Sequence, residues 1–347
     1  MHDAPLPPLR FDPLLKARAW GGERLRKWGR DMPHDASIGE SWDLADLPPS
    51  IPDGDSIVAE GPLAGTRLST IRADAAESLL GRRSVASTGG FPLLVKLLDA
   101  EEDLSVQVHP DPAYAATHPE CFVKNEAWYV LEAREGAAVY RGIRPDVSPD
   151  EFRAALEGGR LLECLVRIEV SPGDCIRLPS GICHALGTGV VVAEAQTPSD
   201  TTFRVWDWDR HDPNRPLHLE QAMACMRFGR MQDDGRPGVI RDAEVVDVAT
   251  DGVRIGRTCT TDDFTIDRVV LSDRPLEIRP AQEPVVLVGV DGPGSVVDAE
   301  GRRARLHPGD TVLVPASCPD PVIECDPGSS VSLLRIDLPT VSPLAIA

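Results

Sequence analysis

Short apolar runs separated by turn residues cover most of the chain, and few are long enough for a helix. "EAWYVLEA", "AAVYRGI", "CLVRIEV", "DCIRLP" and "GVVVAEAQ" are bounded by Gly and Pro turns, the pattern of strands in a sandwich or barrel. "FPLLVKLLDA" is apolar around the single Lys96, and its length fits a buried strand, although a helix turn would show the same run. Two segments predict helices. "ADAAESLL" is short, whereas "SPDEFRAALEGGRLLECL" offers Ser148 or Asp150 as N-cap and the Gly158-Gly159 pair as a stop. The first 30 residues predict an extended lead followed by a short amphipathic piece, and from residue 245 almost every segment reads as strand.

The stretch "SPGDCIRLPSGICHAL" from Ser171 has an echo in "HPGDTVLVPASCPDPV" from His307. Gly173 aligns with Gly309, Asp174 with Asp310 and Pro179 with Pro315, but His184 aligns with Asp320. Two related β units follow, one with the histidine and one without. The polar stretch at 228–244 is the expected junction, giving a unit over 1–240 and a smaller one over 241–347.

Composition narrows the partners. The formal charge of −19, with no basic tract to offset it, disfavours nucleic acid, although arginines and lysines in a cleft can still attract an anion. No apolar run is long enough for a bilayer, and "MHDAPLPPLRFDPLL" lacks the features of a secretory signal, so neither a membrane nor secretion is expected. Eight cysteines without a C-x-x-C spacing point to reduced thiols and a cytoplasmic protein. The oligomeric state is left between monomer and weak dimer.

Candidate chemistry gathers around His184, which follows two Pro- and Gly-bearing turns. In "DLSVQVHP", Gln107 and His109 are two apart on a β-like run and so share a face. Glu126 opens the next strand-like run. Two imidazoles, a carboxylate and an amide oxygen suit zinc and leave room for a substrate oxygen or water. The competing reading is a set of polar edge residues with no joint purpose. Lys96 is a further candidate, because a lysine in an apolar run is paired or functional.

"LLVKLLDAEEDLSVQVHP", "KNEAWYVL", "LPSGICHALG" and "TTFRVWDWDR" resemble class I (type I) mannose-6-phosphate isomerases of the compact bacterial branch, and "FDPLLKARAWGGERL" and "IGESWDLAD" are similar to that family's N-terminal segment. The likeness runs over roughly residues 10–220 in the family's motif order. It implies a mainly β protein of two cupin (jelly-roll) units, with short helical decorations on the first and no metal in the second. It implies one zinc ion on Gln107, His109, Glu126 and His184, with His118 as a weaker rival. A phosphorylated hexose is the implied substrate, isomerised between mannose 6-phosphate and fructose 6-phosphate by proton transfer through an enediolate. Lys124 and Arg204 take active-site roles by this resemblance. Arg210 falls where relatives carry a lysine associated with phosphate, Ser105 and Ser41 are possible phosphate donors, and Glu194, Asp200 and Lys96 are candidates for the base. Trp20, Trp128, Trp206 and Trp208 wall the cleft or fill the core. The long helical insertion of larger members is absent. A metal cupin of another kind, such as an oxygenase or epimerase, or a non-catalytic sugar-phosphate binder, would share part of this set.

Overall fold

A computed structural model describes residues 4–338 except 211, 214, 230–234, 251, 273 and 279–281. The stretch read as the junction, 228–244, therefore lies partly outside the described residues. Among those residues the strands form four sheets, all paired antiparallel within the protein's mainly β fold.

The central sheet places Val239–Ile240, Cys175–Leu178, Glu126–Ala133, Val190–Gln196, Leu94–Ala100, Ile38–Leu44 and Leu14–Gly22 side by side in that order. Every residue of its strands Leu94–Ala100 and Val190–Gln196 is buried, which explains their unbroken apolar runs. Val95, Leu97, Ala127, Tyr129, Val191 and Ala193 pack on one face against Ile266, Val286 and Leu334 of the C-terminal half. Leu98, Trp128, Val130, Val190 and Val192 pack on the other against Val139 and Leu186. Strand alternation then puts Lys96, Glu126 and Glu194 on this second face, each two residues from one of those apolar side chains. Register brings them together: Glu194 lies opposite both Lys96 and Trp128, and Gln196 opposite Glu126.

Facing them is a five-stranded sheet ordered Phe203–Trp206, Val106–Val108, His184–Leu186, Ala138–Ile143 and Leu165–Glu169. Its outer surface is covered by helices. Pro149–Glu157 begins with a capping box between Ser148 and Glu151, which selects Ser148 over Asp150 as the cap. "ADAAESLL" contributes to two helices, Leu68–Asp74 and Ala76–Leu80, which pack instead into the core between the central sheet and the C-terminal half. Pro112–Thr117 and Leu219–Cys225 are additional short helices with little sequence signature, and the second is held by packing Ala222 and Cys225 against Phe203 and Val205.

The C-terminal half stacks a seven-stranded sheet against a four-stranded one. The repeated turn recurs in detail: Ser171 N donates to Asp174 Oδ2 at 3.0 Å, and His307 N to Asp310 Oδ2 at 2.9 Å. Gly173 and Gly309 take φ of 93° and 87°, a region closed to most side chains. The strand partner of Leu178 is Glu126, but that of the equivalent Val314 is Val285. No helix among the described residues is long and apolar enough to cross a membrane.

One crossing was not legible in the periodicity. Leu9–Arg10 leaves the N-terminal half and becomes the edge strand of the C-terminal sheet, with Leu9 opposite Leu313. Leu9 is buried in the core that joins the two halves. Leu9→Ala is expected to destabilise the protein by about 2–5 kcal/mol in urea unfolding; a loss below about 1 kcal/mol would show that this strand is not docked.

Candidate metal centre and active site

His109, Glu126 and His184 converge from three strands or strand ends, with one ligand atom of each within 4.8 Å of the others, and all three are buried. His109 Nδ1 lies 3.0 Å from the Thr201 carbonyl and His184 Nδ1 2.8 Å from that of Ile182. A carbonyl only accepts, so each ring carries a proton on Nδ1 and turns Nε2 toward the site. Those Nε2 atoms lie 3.3 and 3.2 Å from the two oxygens of Glu126. His109 Nε2 and both Glu126 oxygens are buried without a well-aligned hydrogen bond. Buried polar atoms are rarely left so, and two imidazole nitrogens with a carboxylate are the donor set of a divalent cation. The residues therefore fit a metal. Gln107 Nε2 lies 3.4 Å from His184 Nε2, and the amide's mirrored orientation would turn Oε1 toward the same point.

The charges around this triangle are uneven. Lys124 Nζ is 2.7 Å from Glu126 Oε2. Burial opposes the charge of both groups, but Lys124 holds the Glu126 carboxyl well below its usual range, while Glu126 and Glu194 raise the Lys124 ammonium. Burial, helped by Lys124, pushes His109 down to about 3, so its ring is neutral and free to ligate. Glu194 moves the other way: burial and the neighbouring Glu126 raise its pKa against the pull of Lys124 and Lys96. Trp128 Nε1 donates to its Oε2 at 2.8 Å, and Oε1 has no hydrogen bond, with Lys96 Nζ 3.5 Å away.

A cleft of about 290 Å³ opens here, lined by Gln107, Lys124, Glu194, Lys96, Ser105 and Arg204 of the expected set, with Asp200 exposed on its wall. Arg204 Nε donates to Ser105 Oγ at 3.3 Å and Nη1 to the Pro216 carbonyl at 3.0 Å. Burial and the positive field of Arg215 lower its pKa, so cations crowd this wall. Trp20 also lines the cleft, and Trp128 stacks edge-on to His184 at 5.5 Å.

Other expected residues lie elsewhere. Arg210 is not on the cleft wall; its guanidinium is held by Asp207 at 3.0 Å, by Glu102 at 3.5 Å and by the Asp103 carbonyl. Ser41 points to the opposite face, where it donates to Asp43 at 2.6 Å and accepts from Arg30. His118 stacks on Tyr114 with ring centroids 3.8 Å apart and takes no part in the triangle. Trp206 and Trp208 pack on each other at 4.5 Å.

Four titratable wall residues were missed by sequence reasoning: Arg18, Glu40, Arg215 and His218. Glu40 had a usable signal, being charged inside a strand whose seven residues are all buried. It accepts from Trp42 Nε1 and Arg18 Nε, each at 2.6 Å, and lies 3.6 Å from Lys96. Arg215 is held by Asp207, the carboxylate that also holds Arg210.

Comparison with known proteins agrees with this geometry. Residues 9–138 match the family model described as phosphomannose isomerase type I, catalytic domain. A mannose-6-phosphate isomerase from Streptococcus mutans is 40% identical over 227 residues, covering 64% of this chain and 69% of that protein. The crystal structure of mannose 6-phosphate isomerase from Bacillus subtilis superposes with a TM-score of 0.82 at 28% identity, over 96% of this chain and 100% of that one. The fold is shared, at 17% identity and a TM-score of 0.69, with a mannose 6-phosphate isomerase bound with zinc and yttrium, over 96% of this chain and 100% of that one. The chain belongs to the type I phosphomannose isomerase family.

Proposed function

We propose that the protein interconverts mannose 6-phosphate and fructose 6-phosphate, with one zinc ion that would be held by His109, Glu126, His184 and, as the weakest ligand, Gln107. The observation that carries this reading is the buried His–Glu–His triangle beside a cleft rich in cations. We read residues 1–240 and 241–347 as two cupin jelly-roll units, a reading supported by the facing sheets of each half and by the repeated turn.

When bound, zinc supplies positive charge beside the sugar's O1 and O2, where negative charge grows as a proton leaves carbon. Glu194 is the base in this account. Its raised pKa brings it toward the working pH, and Oε1 has no hydrogen bond to give up. Lys96 steadies both Glu194 and Glu40. Lys124 balances Glu126 and lines the cleft, within reach of a sugar oxygen. Arg204 meets the growing charge, and Ser105 fixes the angle of its guanidinium. Asp200 is exposed on the wall. Arg215 and Arg18 offer charge to the phosphate, and Arg210 contributes by sharing Asp207 with Arg215.

Purified protein is expected to isomerise both sugars without nicotinamide, ATP or oxygen, to lose activity to a strong chelator and to regain it with zinc. Folded, zinc-loaded protein inactive on both sugars in a coupled assay would defeat the assignment.

Arg204→Ala is expected to lower kcat by about 100-fold or more, as for other groups that meet transition-state charge. Arg210→Ala, which loosens Asp207 and Arg215, should mainly raise KM. Steady-state kinetics separates the two, and equal effects on kcat would contradict these roles.

Glu40 yields a pH prediction. Burial opposes its charge, but Lys96 and Arg18 win and hold its pKa at about 2. A depressed carboxylate stabilises the fold above its unfolded pKa of about 4.3, and the contribution disappears as pH falls through the folded value. The stability gap between wild type and Glu40→Gln should therefore close between about pH 4.3 and pH 2 in denaturant titrations. A gap that stays constant over that window would contradict it.

A further inference from the structure

Asn125 stands between Lys124 and the metal-site carboxylate Glu126, and it ties four segments together. Its backbone N donates to Thr197 Oγ1 at 3.0 Å, and its carbonyl accepts from Thr197 N at 3.0 Å. Its Oδ1 accepts from Ser180 N at 2.9 Å, within the turn that leads to His184. The next residue of that turn, Gly181, donates its N–H to the His109 carbonyl at 3.0 Å. All three triangle residues are thus linked to one turn and one amide. Gly181 takes φ of +84°, and a Cβ there would come within 3.0 Å of the Cys225 carbonyl, so the turn has little freedom.

The fourth tie comes from the other half of the molecule. Asn125 Nδ2 donates to Asp263 Oδ2 at 2.7 Å. Asp263 belongs to the turn joining the strands Val253–Thr260 and Thr265–Ser272. That turn is closed on the Thr261 hydroxyl, which accepts from Asp263 N at 3.1 Å and Phe264 N at 2.8 Å. Phe264 is fully buried in the core between the halves. The carboxylate is therefore presented from a fixed base. Both partners of the Asn125 side chain agree on its orientation, since a backbone N–H needs Oδ1 and a carboxylate needs Nδ2.

We propose that Asp263 is a positioning residue for the metal centre: through Asn125 it fixes the start of the Glu126 strand and the turn that carries His184. The C-terminal half, whose strand position equivalent to Glu126 is Val285, then acts on the metal without ligating it. The inference rests on the metal reading above. Its physical basis is preorganisation: ligands already held in place lose less freedom when the ion binds, so releasing them weakens affinity.

The test uses the full chain and zinc itself. Zinc dissociation constants are measured by competition with a chelating indicator, and melting temperatures are measured on the metal-free protein. Asp263→Ala should weaken zinc binding about tenfold, with the metal-free melting temperature within a few degrees of wild type. N125D should weaken it further, because two carboxylates then meet where a donor met an acceptor. The double variant N125D/D263N re-forms the bond with donor and acceptor exchanged, and should return affinity to within about threefold of wild type. Unchanged affinity in Asp263→Ala, or a double variant as weak as N125D, would overturn the proposal. So would a fall in melting temperature with affinity intact, which marks a structural contact only. Wild type that binds no zinc would instead defeat the metal reading, before any variant is compared.

Discussion

Glu126 brings a carboxylate to a place where water scarcely reaches, 1% exposed between two packed sheets. A buried carboxylate is costly unless opposite charge and hydrogen-bond donors surround it. The neighbouring side chains answer that need only in part. Lys124 approaches one oxygen, while the imidazole Nε2 atoms of His109 and His184 face both. Three electron-rich groups facing one point repel each other unless a cation joins them. The double burial of the central sheet sets up this situation, because a charged side chain there must find its partners within the protein. Lys96, Glu126 and Glu194 share that face, and their opposed charges settle one another's protonation.

The same alternation explains what the sequence made legible. Gln107 and His109 were found by their spacing of two, Glu126 by its place at a strand start, and Lys96 by its isolation in an apolar run. Ser148 followed from helix-capping chemistry. What was missed depends on contacts between distant segments. Arg18 reaches the cleft from the edge strand of the central sheet and Glu40 from the strand beside it, and Arg215 and His218 come from the connection after Phe203–Trp206. No local period marks such residues. Ser41 shows the sensitivity of parity: one step from Glu40, it faces the opposite core and serves Arg30 and Asp43. Arg210 follows its motif in the sequence, but in the structure its guanidinium pairs with Asp207 and Glu102, off the cleft wall. Leu9–Arg10 is too short for its pairing with Thr311–Val314 to show in the sequence.

The C-terminal half is more than an appended β unit in this structure. Its seven-stranded sheet covers the back of the central sheet, supplying the apolar surface that dries it. It takes in the N-terminal strand and, through Arg30 Nη2 bonded to the Gly309 carbonyl, grips the buried Arg30–Asp43 pair. Asp263 reaches Asn125 across the same seam. A site built on strands supported from behind holds its geometry better than one built on loops, and here the support comes from the C-terminal half.

Diffraction from crystals of the purified protein, collected on both sides of the zinc absorption edge, tests the central claim most directly. The account predicts one anomalous peak per chain, about 2.0–2.2 Å from His109 Nε2, His184 Nε2 and a Glu126 oxygen. A protein crystallised with excess zinc that shows no peak within that triangle, or binds the ion only elsewhere, would contradict it.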